Sequence, residues 1–103
     1  MNTSLFDNAH RQAQYEAMLS ILAPGERVDY SDLLSRMRAR GDNTDGIGLT
    51  LDDLSFRGYK QLWRRSEIVS YREPYFDHEH EGSWTEGTLW ITRAEERDES
   101  LWR

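Results

Sequence analysis

The stretch TLDDLSFRGYKQLWRRSEI, Thr50 to Ile68, decides how the chain reads. At ~100° per residue, Leu51, Leu54, Ser55, Gly58 and Leu62 fall on one side of a helix, and Phe56, Tyr59 and Trp63 widen that face. Arg57, Lys60 and Arg64 fall on the other side, with Asp53. Thr50 followed by Asp53 is a helix-start signature, because the hydroxyl can accept from a first-turn N–H that has no partner inside the helix. The pattern predicts a helix over 50–65 with a wide buried face and a basic stripe. Gly58 inside it costs about 1 kcal/mol relative to Ala, which implies close approach of a neighbouring helix.

Working outward, Ser4 with Asp7 starts a first helix over 5–22, with Phe6, Ala9, Ala13, Ala17 and Ile21 as its stripe. Pro24-Gly25 ends it. Val28-Asp29-Tyr30 reads as a short edge strand. Ser31 caps a second helix over 32–40 with Leu33, Leu34 and Met37 inward, and Gly41 stops it. GDNTDGIG over 41–48 is turn chemistry. Beyond the long helix, EIVSYRE (67–73) and TLWIT (88–92) read as strands, separated by the acidic, aromatic loop PYFDHEHEGSWTEG (74–87). Residues 94–103 form a charged tail or short helix.

Composition bounds the class. The chain of 103 residues is expected to form one domain, 1–103. Its 37% hydrophobic share is low, but four Trp and 12% aromatics supply core volume, so it should fold. There is no Cys, hence no disulfide framework or thiolate metal site. Nothing resembles a signal peptide or a transmembrane run, which points to the cytoplasm. Net charge is −6, unevenly spread. Residues 1–35 carry −3, residues 36–72 carry +3 and residues 73–103 carry −6, so a basic middle lies between acidic flanks.

The order helix, short strand, helix, helix, strand, loop, strand resembles the winged-helix subclass of helix-turn-helix domains. The resemblance covers residues 5–93 and rests on PGERVDYSDLLSRM leading into helix two, on helix 50–65, and on the EIVSYRE/TLWIT hairpin as the wing. It implies an α+β fold of three helices plus a C-terminal two-stranded hairpin. It also implies that Arg57, Lys60, Gln61 and Arg64 enter the major groove of duplex DNA, with Arg36, Arg38, Arg40 and Arg65 on phosphates. Two features differ from that family: a turn of about nine residues between helices two and three, where ~3–4 are usual, and an acidic wing tip.

Other constellations carry a plainer reading beside the functional one. Tyr75, Phe76, Asp77, Glu79, Glu81, Trp84 and Glu86 combine aromatic anchors with carboxylates, as a protein-docking loop or a nucleic-acid mimic would; the plain reading is aromatics capping the core beneath solubilising acids. His78 and His80 share a strand face but lack further ligands, so no metal is expected; acid neighbours would raise their pKa values. Residues 41–52 place Asn43, Asp45 and Gly46 as a calcium loop would, but Gly41 replaces the first acid and Asp52 the final Glu. No nucleophile motif, phosphate-cradling loop or helical His pair appears, so neither an enzyme nor a cofactor is expected. Tyr59, Trp63, Tyr71, Trp90 and Ile91 read as core. The leading expectation is a regulatory protein binding DNA through helix 50–65, possible as a homodimer through helix one or the tail. The alternative is an acidic adaptor or inhibitor of a basic protein surface, of the kind phages and mobile elements carry.

Overall fold

A computed structural model describes residues 4–77 and 83–95, with side chains over 4–73 and 87–95. Among the described residues the architecture is α+β: three helices and a three-stranded antiparallel sheet. In chain order these are α1 (Ala9–Ile21), β1 (Arg27–Asp29), α2 (Tyr30–Arg40), α3 (Ile47–Asp53), β2 (Ile68–Asp77) and β3 (Ser83–Arg93), with one 3-10 turn, Leu62–Arg64, before β2.

The first helix begins later than its stripe predicts. Asn8, not Ser4, caps it by accepting from the Arg11 N–H at 3.1 Å. The preceding residues are held instead by Gln12, whose Oε1 accepts from the Leu5 and Phe6 N–H groups. Helix α1 ends before a Pro24-Gly25 turn in which Gly25 has φ +83° and Glu26 N–H donates to the Ala23 carbonyl, as a type II turn requires. Helix α2 starts two residues earlier than a Ser31 cap would give. Asp29 accepts from the Asp32 N–H at 2.7 Å, and a carboxylate there also suits the helix dipole. Its end is as read: Gly41 at φ +84° lets its own N–H reach the Arg38 carbonyl and that of Asp42 reach Met37, a Schellman closure.

The largest correction falls on residues 50–65, which are not one helix. Helix α3 begins at Ile47, after Gly46 at φ +69°, and stops at Asp53. Thr50 lies inside it, fully buried, and its hydroxyl donates to Gln14 Oε1 at 2.6 Å instead of capping. The turn from α2 to α3 is therefore Gly41 to Gly46, shorter than the sequence suggests. Three carbonyls that would continue α3 take other donors: Leu51 accepts from the Ser70 hydroxyl, Asp52 from the Ser55 hydroxyl and N–H, and Leu54 from the Ser70 N–H. Ser55 competes with the helix through its own side chain. Gly58 then folds back so tightly that a Cβ there would meet the Asp52 and Asp53 carbonyl oxygens at 2.8 and 2.9 Å. The close approach expected at Gly58 is thus real, but it is to the end of α3, not to another helix.

Strands β2 and β3 are longer than the sequence suggests, whereas β1 keeps three residues but shifts to Arg27–Asp29 because Tyr30 opens α2. Residues 74–87 are not all loop: β2 continues to Asp77 and β3 begins at Ser83. Pro74 is tolerated because β2 is an edge strand in the order β1-β3-β2 and because the register shifts between Arg72 and Pro74. Across the sheet Val28 and Ser70 both pair with Ile91. The core gathers Met18 and Leu22 from α1, Leu33 and Met37 from α2, Ile47 and Leu51 from α3, and Val28, Ile68 and Ile91 from the sheet, closed by Leu54 and Leu62. Burying each such side chain contributes about 1.5–3 kcal/mol. Among the described residues no helix is long and apolar enough to cross a membrane.

Candidate nucleic-acid interface

Because residues 54–66 leave the helix, their side chains do not form the two faces expected of them. Leu54 and Leu62 are buried as read, but Phe56 is 59% exposed and Tyr59 84% exposed. A helical pattern places both on the inward face. Trp63, Tyr71 and Trp90 are half-buried, and Ile91 is core. The cations Arg57, Lys60 and Arg65 and the amide Gln61 are exposed on this irregular segment, and Arg64 is half-buried in the 3-10 turn. Gln61 itself takes φ +52° to lead into that turn.

Between Leu54 and Ser66 the chain carries four cations, Arg57, Lys60, Arg64 and Arg65, and no acid. Three aromatics lie among them. Phe56 and Trp63 meet edge-to-face with ring centroids 4.9 Å apart, the Arg64 guanidinium lies 5.2 Å from the Trp63 ring, and the Lys60 ammonium lies 5.8 Å from the Tyr59 ring. Such cation–ring contacts hold the side chains near the surface without neutralising the charge.

Beside this segment runs an open groove of about 690 Å3 between the end of α3, residues 55–59 and the outer edge of β2. Leu49, Phe56, Tyr59 and Tyr71 line it together with Arg57 and Arg72. Its acidic members are Asp52 and Asp53. Asp53 is matched by Arg11 of α1, whose Nη1 donates to it at 2.9 Å, which leaves the exposed Asp52 as the carboxylate facing the groove.

The remaining sequence-derived contacts lie elsewhere. Arg36 on α2 bridges Glu26 at 2.9 Å and Asp32 at 3.2 Å. Glu26 is held below the usual carboxylate range by the Ala23 N–H and by Arg36, and Arg36 is raised by its bond to Glu26. Arg40 reaches Asp42 at 3.4 Å and the Ala17 carbonyl. Both guanidiniums are engaged within the fold. In the acidic loop, Tyr75, Phe76, Asp77, Trp84 and Glu86 fall on the paired ends of β2 and β3, where only the backbone is described. His78, Glu79, His80 and Glu81 lie outside the described residues, as do residues 96–103 of the tail. The 41–52 stretch forms the turn and most of α3, with Asn43 Oδ1 accepting from the Asp45 N–H. Among the described residues no three His, Asp or Glu side chains gather as a metal site would need.

What sequence reading missed is the exposed trio Leu49, Phe56 and Tyr59, which share the groove. The signal was present in Ser55 and Gly58: two poor helix formers three residues apart, one of which bonds its own backbone. Compared with protein-family models, curated proteins and solved structures, the chain matches none.

Proposed function

We propose that this protein is a winged-helix module that binds nucleic acid through the basic and aromatic segment 56–65, not through its third helix. The order of elements and the sheet order β1-β3-β2, with β2 and β3 in the place of the wing, support the winged-helix reading. The observation that carries the functional reading is the acid-free run from Leu54 to Ser66 with its four cations and exposed rings. Arg57, Lys60 and Arg65 are the phosphate contacts, and Gln61 is a polar neighbour able to reach a base edge. Arg36 and Arg40 are left out of the contact set because they brace α2. The exposed residues of α3 are Gly48, Leu49 and Asp52, which offer no cation to a major groove.

Fluorescence anisotropy with short labelled oligonucleotides tests this. Three phosphate contacts on a single strand predict affinity falling about 20-fold between ~50 and ~200 mM salt. Absence of binding at the lower salt contradicts the reading. The net charge of −6 and the exposed Leu49, Phe56 and Tyr59 favour a second reading, an acidic adaptor or inhibitor that docks on a basic protein surface. In that case reversing Asp77, Glu79 and Glu81 to Lys abolishes partner binding, and oligonucleotides do not bind.

A further inference from the structure

We infer that the groove beside α3 is a stacking site for unpaired bases, so that the ligand is single-stranded nucleic acid and not duplex. The inference rests on the function proposed above and narrows it. Exposed apolar side chains scattered singly are ordinary; here three line one concavity, and two of them are rings. Its volume of about 690 Å3 lies within the ~300–1,000 Å3 range of ligand pockets. Rings with exposed area beside cations are the combination that single-strand binders use: bases stack on the rings while Lys and Arg follow the phosphates.

Charge and shape choose between occupants. On the 55–59 side the groove is lined by Arg57, and the same acid-free segment carries Lys60 and, beyond the Phe56–Trp63 contact, Arg64; Asp52 on the α3 side is the one exposed carboxylate. That complements a polyanion better than a neutral peptide. A duplex keeps its bases stacked inside and offers no base face to Phe56 or Tyr59. A single strand can splay a base onto Phe56 or Tyr59 and carry its phosphates past Arg57 and Lys60. The 2′-hydroxyl plays no part in stacking, so DNA and RNA strands share the chemistry that the groove reads.

The test is anisotropy with an oligothymidylate, an oligouridylate and a duplex, each of about 12 nucleotides, a length within single-strand site sizes of ~4–16. The protein binds one or both single strands more tightly than the duplex. Phe56→Ala and Tyr59→Ala each weaken single-strand binding by roughly 5- to 150-fold, while Tyr59→Phe keeps it. Both side chains are largely exposed, and circular dichroism confirms that each variant stays folded. Asp52→Asn tightens binding. Equal binding by the Phe56 and Tyr59 variants, or preference for the duplex, overturns the stacking site and leaves the nucleic-acid reading standing. No binding to any of the three overturns both.

Discussion

Gly58 and Gln14 show how much single residues decide. Gly58 has no room for a methyl group against the Asp52 and Asp53 carbonyls. Those atoms are backbone and cannot swing away, so Gly58→Ala destabilises the fold by about 1–3 kcal/mol, the usual cost of overpacking. Urea denaturation measures it, and an unchanged midpoint contradicts the close approach. Gln14 is buried and ties three groups together: its amide donates to the Asn43 and Asp45 carbonyls, and its Oε1 accepts from Thr50. Gln14→Leu keeps much of the volume but strands those partners, at about 1–3 kcal/mol for each one left buried and unpaired. Because two of the partners lie in the turn before α3, amide exchange over 43–50 should quicken in that variant beyond its effect on α1. Uniform change across the molecule contradicts the local role. None of the three Gln14 bonds could be foreseen, because a Gln on the stripe edge of a helix carries no mark of its partners.

At the scale of elements, Glu26 and Arg93 fasten the helices to the sheet. Glu26 accepts from the Ala23 N–H and from Arg36, joining the turn before β1 to α2. Its carboxyl titrates below its ordinary value in the fold. A depressed carboxyl pKa adds stability above the unfolded value, and that stability is lost as pH falls through the folded one. The melting temperature of Glu26→Gln should therefore lie below that of the parent at neutral pH, and the two should converge below the ordinary value near 4.5. A gap independent of pH contradicts this. Arg93 at the end of β3 donates to the Leu19 and Leu22 carbonyls, closing the end of α1. Arg93→Ala should cost about 1–3 kcal/mol, seen as fraying of α1 by amide exchange. Element type was legible wherever periodicity was unopposed: α1, α2, the core of each strand and the Gly41 stop all follow from it. It failed over 50–65 because Leu51, Leu54 and Leu62 keep helical spacing while reaching the core along a bent path. The side-chain hydroxyls of Ser55 and Ser70 end the helix between them. The longer strands were hidden by Pro74, which reads as a breaker until the edge position of β2 is known.

For the whole molecule, the charge asymmetry survives the loss of the long helix and acquires a different meaning. The basic middle of the sequence divides. Arg36 and Arg40 brace α2, whereas Arg57, Lys60 and Arg65 stay exposed. The cations of the candidate site were therefore legible, and the rings beside them were not, because a helical reading turns Phe56 and Tyr59 inward. On the proposed reading, exposed positive charge concentrated on one short segment would let a protein of net −6 hold a polyanion locally. The most direct test removes that charge. Anisotropy of a labelled oligothymidylate, titrated over ~50 to ~200 mM salt, is compared between the parent and Arg57→Ala/Lys60→Ala/Arg65→Ala. Losing three phosphate contacts should weaken binding at every salt concentration and lower the slope of log affinity against log salt by about 2, with the fold intact. Equal affinity and an equal slope in the triple variant would mean that nucleic acid is not held by residues 56–65.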